Sequence, residues 1–263
     1  MQKTLKNILC LVLAMLLMIC LAACGEEKPG ETSGDKPSQQ QPSQTTPSTE
    51  APTTVPTTEA PTTEPKETVE EFFNNAAFIG DSVTLKLRNY NTKNGILGSA
   101  TFLCQGSYSV GHAVNNTMFL SYQGEDMTPQ DALAACGVNK VFILLGMNDI
   151  ALYGIDKTIE NWGTLIASIR DKNPDIDIYI QSGTPIYTEG QKGKLNNENM
   201  DKYNARLVEF ARANGCVYID IASPLKDSSN GLAKKYTSDD YVHFTDAACE
   251  LWYSILKDIA ESK

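Results

Sequence analysis

The stretch Phe78-Ile79-Gly80-Asp81-Ser82 ends a short apolar run on a glycine and then places an acid and a serine. Residues 76–79 read as a brief buried strand. Val83, Leu85, Leu87 and Tyr90, with Lys86, Arg88 and Asn89 between them, read as a short helix. A serine at such a corner has its own N–H among the unpaired donors of the helix start. The positive end of the helix dipole favours negative charge beside its hydroxyl. These conditions suit a nucleophile, and they equally suit a serine that only caps the helix. The choice depends on what partners the rest of the chain supplies.

Working outward, strand-like and helix-like segments alternate. Residues 101–104, 140–145, 176–181 and 216–219 read as strands. The segment 140–145 is apolar on consecutive positions, which predicts burial on both faces. Between them, residues 128–135 (Thr128 as cap, Pro129 at the first position), 156–171 and 197–214 read as helices, and 245–261 closes the chain as another. This order predicts an α/β fold: a three-layer α/β/α sandwich around a five-stranded parallel sheet. Right-handed crossovers gather the loops after the strands along one edge, where ligands bind. Ser82 and the segments 106–111, 146–149 and 183–187 all come directly after strands.

An acyl-transfer site needs a nucleophile, a base with an orienting acid, and donors for an oxyanion. The chain has two histidines. His243 lies in Ser238-Asp239-Asp240-Tyr241-Val242-His243, and Asp240, three residues before it, is expected to fold back onto the imidazole. His112, in Gly111-His112-Ala113, has no acid near it in sequence and is expected to be structural. Asn148, in Gly146-Met147-Asn148-Asp149 after the strongest strand, reads either as an oxyanion donor or as a turn residue capping the next segment.

Together, Gly80-Asp81-Ser82, a glycine after the second strand, Gly146-Met147-Asn148-Asp149 and Asp240-Tyr241-Val242-His243 resemble, in order, the four sequence blocks of the SGNH (GDSL) hydrolases. The resemblance spans about Phe78 to Ile259. It implies a flavodoxin-like fold and an ester-hydrolysing enzyme without metal or cofactor. In that pattern Ser82 is the nucleophile, His243 the base and then acid, and Asp240 its orienting partner. The backbone of Ser82, the side chain of Asn148 and a glycine of the second block serve the oxyanion. The second block is the loose one: Gln105-Gly106-Ser107-Tyr108-Ser109-Val110-Gly111 offers Gly106, nearer the strand end, with Gly111 as the alternative. There is no Gly-x-Ser-x-Gly elbow, so the α/β-hydrolase class is not expected.

The N-terminal region is of another kind. Lys3 and Lys6 precede an apolar run over 8–19 and then Leu21-Ala22-Ala23-Cys24, a secretory leader resembling the lipobox of bacterial lipoproteins. The resemblance implies a signal peptide over 1–23, lipid on Cys24, and attachment at the outer face of a bacterial membrane. Residues 24–67 read as a disordered linker rich in Pro, Thr, Ser, Gln and Glu, with no aromatic residue in 25–66. Fully stretched it would reach roughly 130 Å at ~3.1 Å per residue. The folded domain is expected over 68–263.

The formal charge of −10 excludes nucleic acid as a natural partner. Cys104, Cys136, Cys216 and Cys249 lie in strand-like or helix-like runs and read as small buried hydrophobes, without the Cys/His clustering of a zinc site. An acyl ester on a small molecule or on a glycan is the expected substrate. Acyl transfer to another hydroxyl, lysophospholipase or thioesterase activity, and a surface binding module with a dead site are the alternatives.

Overall fold

The computed structural model describes residues 67–263. The leader, Cys24 and the linker up to residue 66 lie outside the described residues. The chain enters through α1 (Val69–Asn74), whose start is closed by a capping box between Thr68 and Glu71. The sheet strands are β1 (Ala76–Gly80), β2 (Thr101–Cys104), β5 (Lys140–Leu144), β6 (Asp177–Gln181) and β7 (Val217–Ile219), all parallel in the order β2-β1-β5-β6-β7. This is a flavodoxin-like order, the fold that the resemblance to the SGNH hydrolases implies.

Within the strands, aromatic and aliphatic residues alternate, and period-two geometry sends them to opposite faces. On one face the rings of Phe102, Phe78, Phe142 and Tyr179 stack across four neighbouring strands, with centroids 5.1, 4.9 and 4.5 Å apart. That face is covered by α1, α2 (Ser82–Asn94) and α7 (Asp246–Glu261), through Phe72, Leu87 and Trp252 among others. The other face presents Ile79, Leu103, Ile143 and Ile180 to α3 (Val110–Asn115), α4 (Pro129–Cys136), α5 (Met147–Lys172) and α6 (Asn197–Ala213).

Register decides where the loops emerge. Gly80 pairs with both Cys104 and Leu144, so β1, β2 and β5 end level with one another. The segments starting at residues 81, 105 and 145 therefore leave the same edge of the sheet.

Most element boundaries agree with expectation within a few residues. Four features differ, one being the helix α3, where the sequence reads only a loop over 106–111. The short helix α1 precedes the sheet, and an antiparallel hairpin of β3 (Leu120–Tyr122) and β4 (Glu125–Met127) turns through Gln123-Gly124, both at positive φ. The helix expected from residue 156 starts at Met147 instead, interrupted at Gly154 (φ 77°, ψ 172°), so Gly146-Met147-Asn148-Asp149 opens a helix and is not a loop. Gly146 has φ 117°, and a Cβ there would lie 2.1 Å from the Tyr203 hydroxyl. That hydroxyl donates to the Leu145 carbonyl and accepts from the Trp162 indole. All four domain cysteines are free thiols.

Phe142, at the centre of the ring stack and 0% exposed, tests this account. Phe142→Ala should cost about 3–5 kcal/mol in chemical denaturation. The partly exposed Phe102, at the end of the row, should cost clearly less when changed to Ala.

Candidate active site

At the end of β1, the cap of α2 is Asp81 and not Ser82: its Oδ1 accepts from the Val83 N–H at 2.9 Å. The serine is thereby released from local capping. Its Oγ lies 3.1 Å from His243 Nε2, across 161 positions of sequence. On the other side of the ring, Nδ1 lies 2.5 Å from Asp239 Oδ2. Ser82, His243 and an aspartate thus form one hydrogen-bonded line.

The aspartate is Asp239, which corrects the expectation of Asp240. The turn geometry explains it. Asp239 Oδ1 accepts from the N–H groups of Tyr241, Val242 and His243 at 2.9, 3.1 and 3.2 Å, so the chain curls around its carboxylate and sets the imidazole on the second oxygen. Asp240 sits at the top of that turn with φ 56°, and its carboxylate pairs with Lys234 instead. Partial burial works to raise the Asp239 carboxyl. The bonds from the His243 ring and from the His243 and Tyr241 N–H groups outweigh it, leaving the carboxyl below its usual range. The second histidine, His112, is in α3, with its ring 6.3 Å from that of Tyr108.

Asn148 reaches the same crevice. Its Nδ2 donates to Asp81 Oδ2 at 2.9 Å and to the Tyr108 carbonyl at 3.1 Å. The amide joins the segments after β1, β2 and β5, and is engaged on both hydrogens. Asp81 is 1% exposed, and burial pushes its carboxyl up to about 6 against the opposing pull of the Val83 N–H and of His243.

The neighbouring Asp149, also buried, anchors α3: its oxygens accept from Val110 N at 2.9 Å and Gly111 N at 2.7 Å. Burial raises this carboxyl too, more than those two N–H groups lower it. The Gly111 N–H is therefore consumed, and a Cβ on Gly111 would lie 2.5 Å from the Tyr153 ring. This removes Gly111 as the alternative oxyanion donor. Gly106 stays exposed in a turn tied to the end of β1 by the Gln105 N–H to Gly80 carbonyl bond, 3.2 Å. Asp81 and Asp149 as organising carboxylates were not anticipated from sequence. Their only signal was an acid beside Ser82 and another beside Asn148.

With this geometry in place, the comparisons are specific. Residues 78–251 match the GDSL-like lipase/acylhydrolase family, and the chain belongs to it. A GDSL-like lipase from Bacteroides thetaiotaomicron is 18% identical, with a TM-score of 0.56 over 73% of this chain and 90% of that one. A carbohydrate esterase family 3 protein from Talaromyces cellulolyticus is 13% identical, with a TM-score of 0.51, covering 72% and 98%. The C-terminal catalytic domain of peptidoglycan O-acetyltransferase A from Streptococcus pneumoniae is 16% identical, with a TM-score of 0.50, covering 71% and 92%. At these identities the likeness is one of fold. Among curated proteins, none matches the chain significantly.

The carboxylates and the amide can each be tested. With p-nitrophenyl acetate as substrate, Asp239→Asn should lower turnover by about 10²–10⁴-fold, whereas Asp240→Asn should stay within about threefold of the parent, as fits an exposed ion pair. Asp81 bears on stability. Its raised carboxyl means that the folded protein holds this proton more tightly than the unfolded chain does. The resulting stability is present below about pH 4 and is lost as pH rises through about 6, a difference of about 3 kcal/mol. Asp81→Asn has nothing to ionise, so its stability should vary less between pH 4 and 7 in denaturant titrations. Such an Asp81→Asn change also sets one amide against another at Asn148, and should slow turnover by about 10–100-fold.

Proposed function

We propose that the protein is a serine esterase that removes short acyl groups, O-acetyl foremost, from glycans outside the cell. The observation that carries this reading is the line Asp239–His243–Ser82, with its contacts of 2.5 and 3.1 Å. His243 Nε2 takes the Ser82 proton as Oγ bonds to the ester carbon, and the carbonyl electron pair moves onto oxygen. The backbone N–H groups of Ser82 and Gly106 receive that oxyanion, joined by the Asn148 amide hydrogen that exchanges the Tyr108 carbonyl for it while the other stays on Asp81. The intermediate collapses, the carbon–oxygen bond to the alcohol breaks, and the alcohol leaves with the proton held on His243. Water then attacks the acyl-serine, gives its proton to His243, and releases the acid as Ser82 recovers its hydrogen. Asp239 stays ionised throughout, holding the ring tautomer and balancing the imidazolium.

The glycan part draws on the openness of the site and the chemistry of its rim. The His243 side chain is 46% exposed, which suits a substrate presented from a polymer. The segment around Asp240 packs on the loop after β6, where Tyr187 and Tyr241 carry Lys234 and Lys192 over their rings. Such faces and charges fit the hydrophobic and hydroxyl sides of a sugar. A carbohydrate esterase shares the fold, and the lipobox-like leader and Pro/Thr-rich linker fit a tether at the outer face of the membrane.

The experiment is a comparison of the parent protein and Ser82→Ala. A fluorophosphonate should label the parent once, at Ser82, and leave the variant unlabelled. Acetate release from acetylated xylan or O-acetylated peptidoglycan should fall by at least ~10³-fold in the variant. Undiminished release would refute the assignment of the nucleophile.

A further inference from the structure

Most apolar side chains of the described residues are covered; Phe119, Val208 and Val217 are exposed, and the most exposed, Leu152, lies on the helix that carries Asn148. Leu152 is 64% exposed and Tyr153 is 42% exposed, in the first two turns of α5 before the break at Gly154. Residues four apart share a helix face. Leu152 stands one turn beyond Asn148, and Tyr153 one turn beyond Asp149. The second pair fits that geometry: Asp149 bonds the N–H of Gly111, and the Tyr153 ring lies against the Gly111 backbone. The first pair must then point one residue round the helix. Asn148 faces Asp81 and the Tyr108 carbonyl beside Ser82, and Leu152 continues that face into solvent.

The two flanks of Ser82 also differ in polarity. The flank carrying His243 packs on the loop after β6 and holds Glu189, Lys192, Lys234 and Asp240. The flank carrying Asn148 continues over the buried Ile150 to Ala151-Leu152-Tyr153, with no charged side chain until Asp156, which pairs with Arg206. An ester carbon attacked by Ser82 has three other substituents. The oxyanion turns to the N–H donors, and the departing oxygen must sit at His243 Nε2 to receive its proton. The remaining substituent, the acyl chain, is directed away from the histidine, towards the uncharged flank.

We infer that Leu152, with the Tyr153 ring behind it, is the acyl-chain contact of this enzyme, and that the site accepts saturated acyl groups of about four to six carbons as well as acetyl. The occupant is the hydrocarbon end of the substrate's acid portion, and Leu152 is a specificity-determining residue that takes no part in bond making. The inference rests on Ser82 being the nucleophile.

The test uses p-nitrophenyl and 4-methylumbelliferyl esters of acetate, butyrate and hexanoate with the parent, Leu152→Ser and Leu152→Met. Leu152→Ser should leave kcat/KM for acetate within about twofold and lower it for hexanoate by about tenfold, chiefly through KM. Leu152→Met should keep the parent profile, and the effect of Leu152→Ser should be the same with either alcohol. Three results would overturn the inference: an unchanged profile in Leu152→Ser, an equal loss at every chain length, or a loss that tracks the alcohol. Ser82→Ala, run alongside, separates the two readings: if it still hydrolyses acetate, the nucleophile is wrong, whereas an inactive Ser82→Ala beside an unaltered Leu152→Ser profile refutes the acyl contact alone.

Discussion

Two buried carboxylates tie together the three segments that leave one edge of the sheet. Asp81 closes the first turn of α2 with one oxygen and holds the Asn148 amide with the other. Asp149, adjacent to that asparagine, holds the N–H groups of Val110 and Gly111. The segments after β1, β5 and β2 are thus connected in series by charge-assisted bonds, which are short and directional. Water would loosen such a network, and burial excludes it, at the cost of raising both carboxyl groups. Without Asp81 as cap, Ser82 would be free to satisfy the helix start itself and turn its hydroxyl away from His243.

The sheet supplies the rigidity this wiring needs. Level strand ends place the three loops side by side, and the row of stacked rings on one face with branched aliphatics on the other holds that register. A slip of one residue would exchange the two faces and bring rings against α3–α6. The histidine arrives separately, from the turn before α7. There the Asp239 carboxylate both shapes the backbone and receives the imidazole, so one residue sets the position of the His243 ring.

The nature of the fold and the cast of the site were legible because they depend on local patterns. Consecutive apolar runs, turn residues and helical spacing survive any tertiary context, and a chain with two histidines leaves little choice of base. Ser82 and His243 do meet, and Asn148 bonds the Asp81 carboxylate next to that serine in sequence. The choice between Asp239 and Asp240 was not legible, since adjacent residues in a turn differ only in backbone dihedral. It took the positive φ of Asp240 to send its carboxylate to Lys234. The same holds for Gly106 against Gly111: both are glycines after a strand, and only the bond from Gly111 to a carboxylate 38 positions away tells them apart.

Sequence alone therefore determined a parallel α/β domain with a serine and an asparagine just after strands and a histidine just before the last helix, because periodicity and chain order carry that information. Tertiary structure decided which acid orients the histidine, which glycine keeps a free face, and that the serine is not the helix cap. Each of those outcomes turns on where a hydrogen-bonding group finds its partner in space, and such partners are set by packing between elements far apart in the chain.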